Sequence, residues 1–536
     1  DILKNINHNE PILKTRGEIM IKPDQCRQKT SILDYLEQTA ECYRYSTAVT
    51  GVDEEFTWYE FTVMARKIGT GISRRVSPGS PVPVMMEKSP LMLAAMLGAV
   101  YAGCFYVPVN PDNPPERLKK IFRTLQPEII IADRNIQEFL TTESICAGSD
   151  KKECSIISAE ELVKEDVDPE RLAAIRNASR ETDILYGIFT SGSTGTPKAV
   201  VVSHGAVIRF IGHFTKIFGI SHEDVIGNQA PFDFDVSVKD IYSSLMTGAG
   251  LVLIPKEYFS TPPRLLDFLC EKNVTTLTWA VSALTLVSSL KGLRYRIPEK
   301  VNKIMFSGEA MPPKQLRIWQ EALPDARFVN LYGPTEITCN CTYYPVVRMY
   351  EDREKIPAGN AFPGRTVFLL DEDDIEIAEP GRQGEICVAG ESLAQGYYRN
   401  EEQTKKQFVM YPVGGGEPQR IYRTGDMGYY DEKGRIIFAG RKDFQIKHMG
   451  HRIELEEIES AMNAVENVQR SCCVFQEEKN RIAGFYMGEA EPSEVRRKLK
   501  EKLPVYMVPP KLTRMQVMPL NKNGKTDRAY LKRWKE

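Results

Sequence analysis

The sequence has no excess of charge of either sign, since its 536 residues include 70 Lys and Arg against 72 Asp and Glu. A protein that binds nucleic acid or an anionic membrane surface through its overall charge carries a clear basic excess, so we expect neither partner. Hydrophobic residues make up 42% of the chain and charged residues 26%, as in ordinary globular proteins, which excludes disorder as the overall state. At roughly 100–200 residues per domain, this length predicts several domains.

Long apolar runs are also scarce, and only residues 90–109 are long and uncharged enough to span a bilayer. This run is punctuated, because Ser89 and Pro90 form a helix start and Gly103 is a natural helix end. We therefore predict a helix over residues 91–102 and a buried strand over residues 104–107. Both belong to a protein core rather than to a membrane.

The 11 cysteines are odd in number and scattered. The close pairs, Cys339 with Cys341 and Cys472 with Cys473, have no further Cys or His at the spacing of a zinc site, so we expect reduced thiols. No basic and apolar leader follows Asp1, and a cytoplasmic protein is expected. The missing initiator Met indicates trimming or excision from a longer polypeptide.

Short apolar runs alternate with helical patterns, which is typical of α/β folds with parallel sheets. Residues 1–30 are polar and weakly patterned and are predicted to be a lead-in segment. A punctuated polar stretch near residues 440–451 marks a boundary, so we predict a large domain over residues 31–441 and a small C-terminal domain over residues 442–536, with an amphipathic helix from residue 453. The predicted strands cover residues 82–86, 128–132, 184–189, 251–254, 275–281, 304–306 and 328–331.

A loop rich in hydroxyl groups and glycine follows the predicted strand that ends at residue 189. Unhindered N–H groups and one lysine lie close together in it, a combination that can surround a polyphosphate. A P-loop would run directly into a helix and end in Gly-Lys-Ser/Thr, whereas here a second β-branched run follows. Gly524-Lys525-Thr526 has that ending, but Pro519 stands where a P-loop needs glycine. The loop consists of Thr190-Ser191-Gly192-Ser193-Thr194-Gly195-Thr196-Pro197-Lys198.

Five motifs occur in a fixed order: TSGSTGTPK at residues 190–198, NLYGPTE at 330–336, YRTGD at 422–426, GRKDFQIK at 440–447 and NGK at 523–525. Together they resemble the adenylate-forming superfamily, from about residue 30 to the end of the chain. Within it, the sequence is similar to the amino-acid adenylation domains of nonribosomal peptide synthetases and to D-alanine:D-alanyl carrier protein ligases.

The resemblance implies a large domain of parallel-rich sheets flanked by helices and a small, mobile α+β C-terminal domain. It implies two steps: a carboxylate attacks the α-phosphate of ATP to give an acyl adenylate and pyrophosphate, and the acyl group then passes to a phosphopantetheine thiol. The implied cofactors are ATP and Mg²⁺, with phosphopantetheine on a partner carrier protein. No carrier attachment site follows Glu536, so the carrier is expected in trans or on a trimmed part of the chain.

The resemblance also assigns the ATP-binding residues. The loop would hold the β- and γ-phosphates, Tyr332 would stack on adenine, and Glu336 would hold Mg²⁺, a cation that prefers oxygen ligands. Thr335 would contact the α-phosphate. Taken alone, Asp426 would indicate a turn cap and Arg441 a solvated charge, but in the family pattern both contact the ribose. The full expected set is Thr190, Ser191, Gly192, Ser193, Thr194, Gly195, Lys198, Asn330, Tyr332, Gly333, Thr335, Asp426 and Arg441.

Lys525 matches the family's catalytic lysine, which also contacts the substrate. A compact positive charge there lies between the substrate carboxylate and the α-phosphate, two anions that otherwise repel each other. The alternative is a solvated lysine near a chain end. Because Lys525 belongs to the small domain, that domain has to move before a thiol can approach, and Asp443 matches the family's hinge position.

Asp235 matches the family residue that binds the α-ammonium group of the substrate. A carboxylate in an apolar pocket needs a cation, because an unpaired buried charge is costly. Asp235 therefore favours an amino acid over a fatty or aryl acid. Asp233 and Asp240 are expected to be structural or at the surface. The resemblance adds to the substrate pocket Val236, Lys239, Met305, Ser307, Leu331, Cys339 and Asn340, with Trp279 or Ala280 aligned less securely.

Lys239 stands at a position that is usually apolar or aromatic in the family. If its side chain points inward, it suits a substrate with a carboxylate or another acceptor. If the side chain points outward, it is a solvated helix lysine. The sequence leaves both orientations open.

The leading hypothesis is an enzyme that adenylates an amino acid and loads it onto a carrier protein. One alternative is a D-alanine ligase, which Ser307 and Lys239 disfavour because those enzymes carry Cys and Met there. Another is an acyl-CoA synthetase, in which Asp235 would have no purpose. A catalytically silent nucleotide-binding or interaction module is a further alternative, against which the presence of Glu336, Asp426 and Lys525 argues.

Overall fold

The computed structural model describes residues 30–139, 154–192, 196–521 and 526–534. In chain order, the strands within these ranges are β1 (Thr47–Thr50), β2 (Glu55–Thr57), β3 (Pro81–Met85), β4 (Phe105–Pro108), β5 (Ile129–Ala132), β6 (Ser155–Ser158), β7 (Ile184–Thr190), β8 (Lys198–Ser203), β9 (Val225–Asn228), β10 (Gly250–Leu253), β11 (Thr276–Ala280), β12 (Lys303–Ser307), β13 (Arg327–Tyr332), β14 (Thr342–Pro345), β15 (Asn360–Ala361), β16 (Arg365–Leu370), β17 (Gly384–Gly390), β18 (Gly396–Tyr397), β19 (Phe408–Tyr411), β20 (Gln419–Tyr430), β21 (Ile436–Arg441), β22 (Gln445–His448), β23 (His451–Glu454), β24 (Val468–Gln476), β25 (Arg481–Gly488) and β26 (Lys511–Arg514).

The α-helices of the same ranges are α1 (Ile32–Cys42), α2 (Trp58–Ser73), α3 (Pro90–Tyr101), α4 (Pro115–Leu125), α5 (Arg134–Phe139), α6 (Ala159–Leu162), α7 (Pro169–Ala178), α8 (His204–Phe218), α9 (Val236–Thr247), α10 (Pro262–Glu271), α11 (Val281–Ser289), α12 (Gly292–Tyr295), α13 (Pro313–Ala322), α14 (Glu401–Gln407), α15 (Leu455–Asn463), α16 (Pro492–Lys502) and α17 (Arg528–Lys532). Short 3₁₀ helices cover Lys256–Ser260, Thr335–Ile337, Val413–Gly415, Glu477–Lys479 and Val505–Met507.

Two large sheets carry most of the N-terminal part. One has nine strands in the order β15-β14-β13-β12-β11-β9-β10-β1-β2, and the other has seven in the order β18-β8-β7-β4-β3-β5-β6. The central strands of both sheets pair in parallel. Antiparallel strands lie at the edges, for example β14 on β13 and β8 on β7. A third sheet, β16-β17-β20-β19 with β21 on β20, is antiparallel. The α/β prediction is confirmed.

Apolar patterning located the core elements correctly. Each predicted strand corresponds to an observed one within two residues at either end. The uncharged run over residues 90–109 forms helix α3, capped by the Ser89 hydroxyl, and strand β4, with Gly103 at φ +73° between them. Both elements are buried in the core. In the part of the chain that the structure describes, no helix is long and apolar enough to cross a membrane.

The C-terminal residues form separate elements with their own core. A hairpin of β22 and β23 leads into α15, and β24, β25 and β26 form a three-stranded sheet. The amphipathic helix begins at Leu455 rather than at Ile453, because Ile453 belongs to β23. The division after Arg441 remains a prediction, as does the lead-in segment, of which only Thr30 is among the described residues.

Candidate active site

A cavity of about 110 Å³ lies where the large sheets meet the C-terminal hairpin. Its walls include the end of β7, the start of α9, the end of β12 and the segment after β13. Ligands of parallel α/β sheets commonly bind at the carboxyl ends of the strands. Of the predicted site residues, those on the cavity wall are Thr190, Ser191, Asp235, Val236, Lys239, Ser307, Gly333, Thr335, Cys339 and Asn340.

Asp235 lies immediately before α9 and makes no capping hydrogen bond with its side chain. Burial raises the pKa of its carboxyl group, although Lys239 and a hydrogen bond with Thr335 act in the opposite direction. No ion pair forms on Asp235 within the described ranges. The Cys339 thiol donates to the main-chain carbonyl of Asp235 at 3.1 Å. The pocket therefore presents a partly buried carboxylate that no side-chain cation contacts directly.

Lys239 points into the cavity, which decides between the two orientations that the sequence leaves open. Lys239 is 1% exposed, and its Nζ donates to Oδ1 of Asn340 at 2.8 Å. Asp240, by contrast, accepts from Asn228 Nδ2 at 2.9 Å. Asp240 is fully buried, so it is structural rather than a surface residue.

The chain after β13 folds back closely, which brings Cys339 and Asn340 to the cavity. Thr338 and Cys339 have φ angles of 57° and 72°, values that cost energy for residues other than glycine. A Cβ atom on Gly333 would lie 2.5 Å from Cα of Asn340. Glycine is therefore required at position 333 for this close approach.

Other predicted pocket residues lie behind the wall. Met305 and Leu331 are on β12 and β13, but their side chains belong to the hydrophobic core. Trp279 is also a core residue, and its Nε1 donates to the Gly227 carbonyl at 2.8 Å. Ala280 is 8% exposed and does not line the cavity among the described residues.

The predicted phosphate loop connects the antiparallel strands β7 and β8, with Thr190 opposite Lys198. The Oγ1 atom of Thr190 is buried and has no hydrogen-bond partner among the described residues, so it is available for an acceptor or donor of a ligand. A side chain on Gly192 would clash with the Thr196 carbonyl, which explains glycine there. Ser193, Thr194 and Gly195 lie outside the described residues.

Tyr332, Asp426, Arg441 and Asp443 form one hydrogen-bonded chain. The Tyr332 hydroxyl donates to Oδ2 of Asp426 at 2.6 Å, and Nη1 of Arg441 donates to Oδ1 at 2.7 Å. Arg441 also holds both carboxylate oxygens of Asp443, at 2.8 and 2.6 Å. Burial opposes ionisation of Asp443, but Arg441 lowers its pKa below the usual value. The predicted ribose and hinge residues are thus in direct contact.

Asn330 lies apart and donates to the Pro357 carbonyl at 2.8 Å.

Glu336 lies in a 3₁₀ helix and is completely buried. Its carboxylate accepts from Nη1 of Arg452 at 2.7 and 3.0 Å and from the Tyr397 hydroxyl at 2.8 Å. Lys198 Nζ is 3.8 Å away. Although burial alone would raise it, Arg452 and Lys198 bring the pKa of Glu336 to about 2. Burial, together with Arg452, lowers the pKa of Lys198 to about 8.

An ionised carboxylate fits Mg²⁺, which proteins bind through one or two carboxylates together with substrate phosphates. Within the described ranges, no group of three or more His, Cys, Asp or Glu could hold a metal ion without such phosphates. In the arrangement observed, Arg452 supplies the positive charge at Glu336. The Mg²⁺ role of Glu336 therefore stays a prediction.

Lys525 is not among the described residues, but its flanks are. Leu520 pairs with Thr526, and Nη2 of Arg470 donates to the Thr526 hydroxyl at 2.8 Å. These flanking residues do not line the cavity. Thr526 is thus attached to the C-terminal sheet, because Arg470 belongs to β24.

The hairpin residues on the cavity were not assigned roles from the sequence. Lys447 lies on the wall with its Nζ 5.7 Å from the Tyr332 ring centroid, and burial lowers its pKa. Gly450 donates its N–H to Glu309 at 2.8 Å. The hairpin is attached to the residue after β7, because the Ser191 hydroxyl donates to the Arg452 carbonyl at 2.8 Å. The motif at residues 440–447 contained Lys447 and was the available signal.

Comparisons with known proteins show the family of the chain. The model of the AMP-binding enzyme family matches residues 36–398. The chain is 31% identical to D-alanine–D-alanyl carrier protein ligase of Bacillus velezensis over 522 residues, covering 93% of this chain and 98% of the relative. It is 31% identical to tyrocidine synthase 3 of Brevibacillus parabrevis and 32% identical to surfactin synthase subunit 1 of Bacillus subtilis, over 94% of this chain in each case. It spans 8% and 14% of the length of those two synthases.

Solved structures show the same fold. An artificially fused adenylation–PCP di-domain from Klebsiella oxytoca superposes with a TM-score of 0.76 at 21% identity, covering 91% of this chain and 94% of that one. The o-succinylbenzoate CoA synthetase of Bacillus subtilis gives a TM-score of 0.79 at 19% identity, covering 94% and 98%.

Fold, cavity and relatives together define an adenylating ligase, of the type found in nonribosomal peptide synthetase adenylation domains and D-alanine carrier protein ligases. The chain belongs to the AMP-binding enzyme family.

Proposed function

We propose that the protein activates an amino acid as an aminoacyl adenylate, releases pyrophosphate, and transfers the aminoacyl group to the phosphopantetheine thiol of a carrier protein. The observation that carries the amino-acid part is Asp235. Asp235 is half-buried on the cavity wall, and its carboxylate has no ion-pair partner within the described ranges. A buried carboxylate without a cation is costly, and an α-ammonium group of the substrate would supply the missing charge.

Adenylation brings the substrate carboxylate to the α-phosphate of ATP, so positive charge and positioning are the main requirements. Thr190 and Lys198 at the two ends of the loop are proposed to bind the phosphates. Asp426 would turn from Tyr332 and Arg441 toward the ribose hydroxyls. Glu336 would hold Mg²⁺, which supplies charge neutralisation at the phosphates when bound. Lys525 would approach the α-phosphate from the C-terminal domain.

The arrangement observed suits the second step better than the first. Arg452 contacts Glu336, and the flanks of Lys525 are attached to β24 rather than to the cavity. Residues of the large domain, among them Arg117, share the cavity wall with His451 and Tyr506 of the C-terminal part. A thiol approaching between these two parts would reach the adenylate next to Asp235. Asp443, in contact with Arg441, is the proposed hinge.

D-alanine remains a second candidate substrate, because the relative covered over 98% of its length is a D-alanine–D-alanyl carrier protein ligase. Lys239 argues against it, since the methyl side chain of alanine offers nothing to a buried ammonium group. An acyl-CoA synthetase reaction is disfavoured by Asp235.

The direct test is to incubate the protein with ATP, Mg²⁺ and single carboxylic acids, and to trap any adenylate with hydroxylamine. The panel contains the common L-amino acids, D-alanine, fatty acids and aryl acids. We expect hydroxamate and pyrophosphate only with amino acids. Equal or better activation of a fatty or aryl acid would contradict the proposal, and so would the absence of any activation.

A further inference from the structure

The substrate pocket contains a buried ammonium group, that of Lys239, which no carboxylate of the described residues contacts directly. Lys239 is 1% exposed and lies on the cavity wall. Among the residues that the structure describes, no carboxylate comes within ion-pair distance of its Nζ. The partner that is present, Oδ1 of Asn340 at 2.8 Å, is a neutral amide oxygen. An ammonium group has three donors, so two of them have no acceptor among the described residues.

Neighbouring carboxylates do not fill this role. Asp240 is next in sequence, but one of its oxygens accepts from Asn228 at 2.9 Å. Asp235 precedes Lys239 by four residues at the start of α9, a spacing that places both on the same side of the helix, about 5–6 Å apart at Cβ. Asp235 and Lys239 thus present opposite charges to one cavity without forming an ion pair with each other.

We propose that the side chain of the substrate carries a carboxylate, so that the enzyme activates a dicarboxylic amino acid. This inference rests on the proposed function. The α-ammonium group binds Asp235, the side-chain carboxylate binds Lys239, and Asn340 holds the lysine in position. The substrate thereby neutralises both buried charges, while its α-carboxylate stays free to attack ATP.

Neutral side chains fit this pocket less well for a physical reason. An apolar side chain would remove water from the Lys239 ammonium group and give it no counter-charge, and leaving one buried charge unpaired is strongly unfavourable. An amide side chain offers an acceptor but no charge, and its NH₂ group would meet the donors of Lys239. Matched acid and amide pairs, aspartate with asparagine and glutamate with glutamine, therefore isolate the charge at nearly constant size.

The experiment measures kcat/KM for ATP–pyrophosphate exchange with these pairs, with 2-aminoadipate, and with alanine, D-alanine and leucine. In the wild type, one of the acids is expected to exceed its amide by roughly 100-fold or more, because the buried charge is neutralised only by the acid. Two variants test the residues. Lys239→Met keeps an unbranched side chain, one atom shorter, and removes the charge. Asn340→Asp keeps Lys239 and places a permanent carboxylate at its Nζ.

Both variants are expected to reduce the acid-to-amide ratio by roughly 100-fold, through KM of the amino acid rather than KM of ATP. Asn340→Asp should disturb folding less than Lys239→Met, since it conserves volume and gives Lys239 a charged partner. The control is Lys216→Met on the exposed face of α8, which should leave the ratio unchanged. Thermal unfolding of each variant verifies that it is folded.

A wild type that prefers an acid, with the ratio lost in either folded variant, supports the inference. A wild type that prefers a neutral amino acid, or an acid preference that persists in both variants, overturns the inference and leaves the proposed function intact. If no amino acid supports exchange, the proposed function fails and the inference fails with it.

Discussion

Arg452 and Glu336 form a buried ion pair across the two parts of the chain, with Nη1 2.7 Å from one carboxylate oxygen and 3.0 Å from the other. Arg452 belongs to the hairpin strand β23, and Glu336 to the 3₁₀ helix after β13. The proposed Mg²⁺ ligand is therefore neutralised by the hairpin in this arrangement. We propose that docking of the hairpin and binding of the metal are alternatives at the same carboxylate.

Replacing Arg452 should slow the second step more than the first. In Arg452→Gln, the docked hairpin leaves the Glu336 carboxylate buried with less positive charge, so the docked arrangement loses stability. We expect thioester formation from preformed adenylate to slow by roughly 10- to 100-fold, while ATP–pyrophosphate exchange changes by less than about threefold. Rapid-quench measurements of the two half-reactions decide this. Equal loss in both would show that Arg452 does not act through docking.

Replacing Lys525 should have the opposite effect. Its described flanks are attached to β24 and away from the cavity, so Lys525 should be dispensable when the hairpin is docked. Lys525→Ala is expected to abolish amino-acid-dependent exchange and to spare thioester formation from preformed adenylate. The same two half-reaction assays apply, with Lys522→Ala as a control nearby in sequence. If Lys525→Ala loses both half-reactions equally, this division of roles is wrong.

The docked hairpin should weaken in acid because of His451. Its ring stacks on Tyr506 with centroids 3.5 Å apart and meets the edge of Phe234 at 4.6 Å. Burial lowers the pKa of His451 to about 4, and positive charge on His448 and Arg117 acts in the same direction. A solvated histidine has a pKa of about 6.5. Between pH 6.5 and 4, the undocked hairpin therefore takes up a proton that the docked hairpin excludes, so docking is lost as the pH falls.

The measurement is the pH profile of thioester formation in single turnover. We expect the rate to fall below about pH 6.5 in the wild type and to fall less in His451→Phe, which keeps an aromatic ring against Tyr506. An identical profile in both proteins would exclude His451 as the cause.

A second buried ion pair connects α4 with α15. Nη1 of Arg117 lies 2.8 Å from Oε1 of Glu457, and the side chains are 7% and 3% exposed. Removing one partner leaves an uncompensated buried charge, at a cost of about 3 kcal/mol, whereas removing both costs less. Arg117→Met and Glu457→Gln should each lower Tm by more than the double variant does. Differential scanning calorimetry of all four proteins provides the comparison, and additive losses would contradict it.

The strands and their order in the chain could be predicted because they are continuous apolar runs, as in β5 and β12, and such runs are typical of buried parallel strands. The hairpin of β22 and β23 could not be predicted in the same way. Its main apolar residues are Ile446 and Ile453. The adjacent Lys447 and Arg452 are charged and lie on the cavity wall. A short strand with charged residues beside a cavity has too little alternation of apolar and polar residues to be predicted from the sequence.

The orientation of the Lys239 side chain also could not be predicted from the sequence. From the sequence, its side chain could point either into the pocket or to solvent. The residue that fixes its orientation, Asn340, is 101 residues away in the chain. Asn340 reaches the cavity only because the chain turns back at Gly333 and through the left-handed Thr338 and Cys339. Motif resemblance could name these residues as neighbours but could not supply the ammonium–amide contact.

Asp235 is proposed to select the α-amino group of the substrate, and a comparison of two carboxylic acids tests this role. It is the ratio of kcat/KM in ATP–pyrophosphate exchange for the best amino acid and for the same acid without its amino group, in the wild type and in Asp235→Asn. We predict a ratio of roughly 100 or more in the wild type and a ratio near one in the variant. A wild type that activates both acids equally well, or a variant that keeps the full preference, would contradict the account.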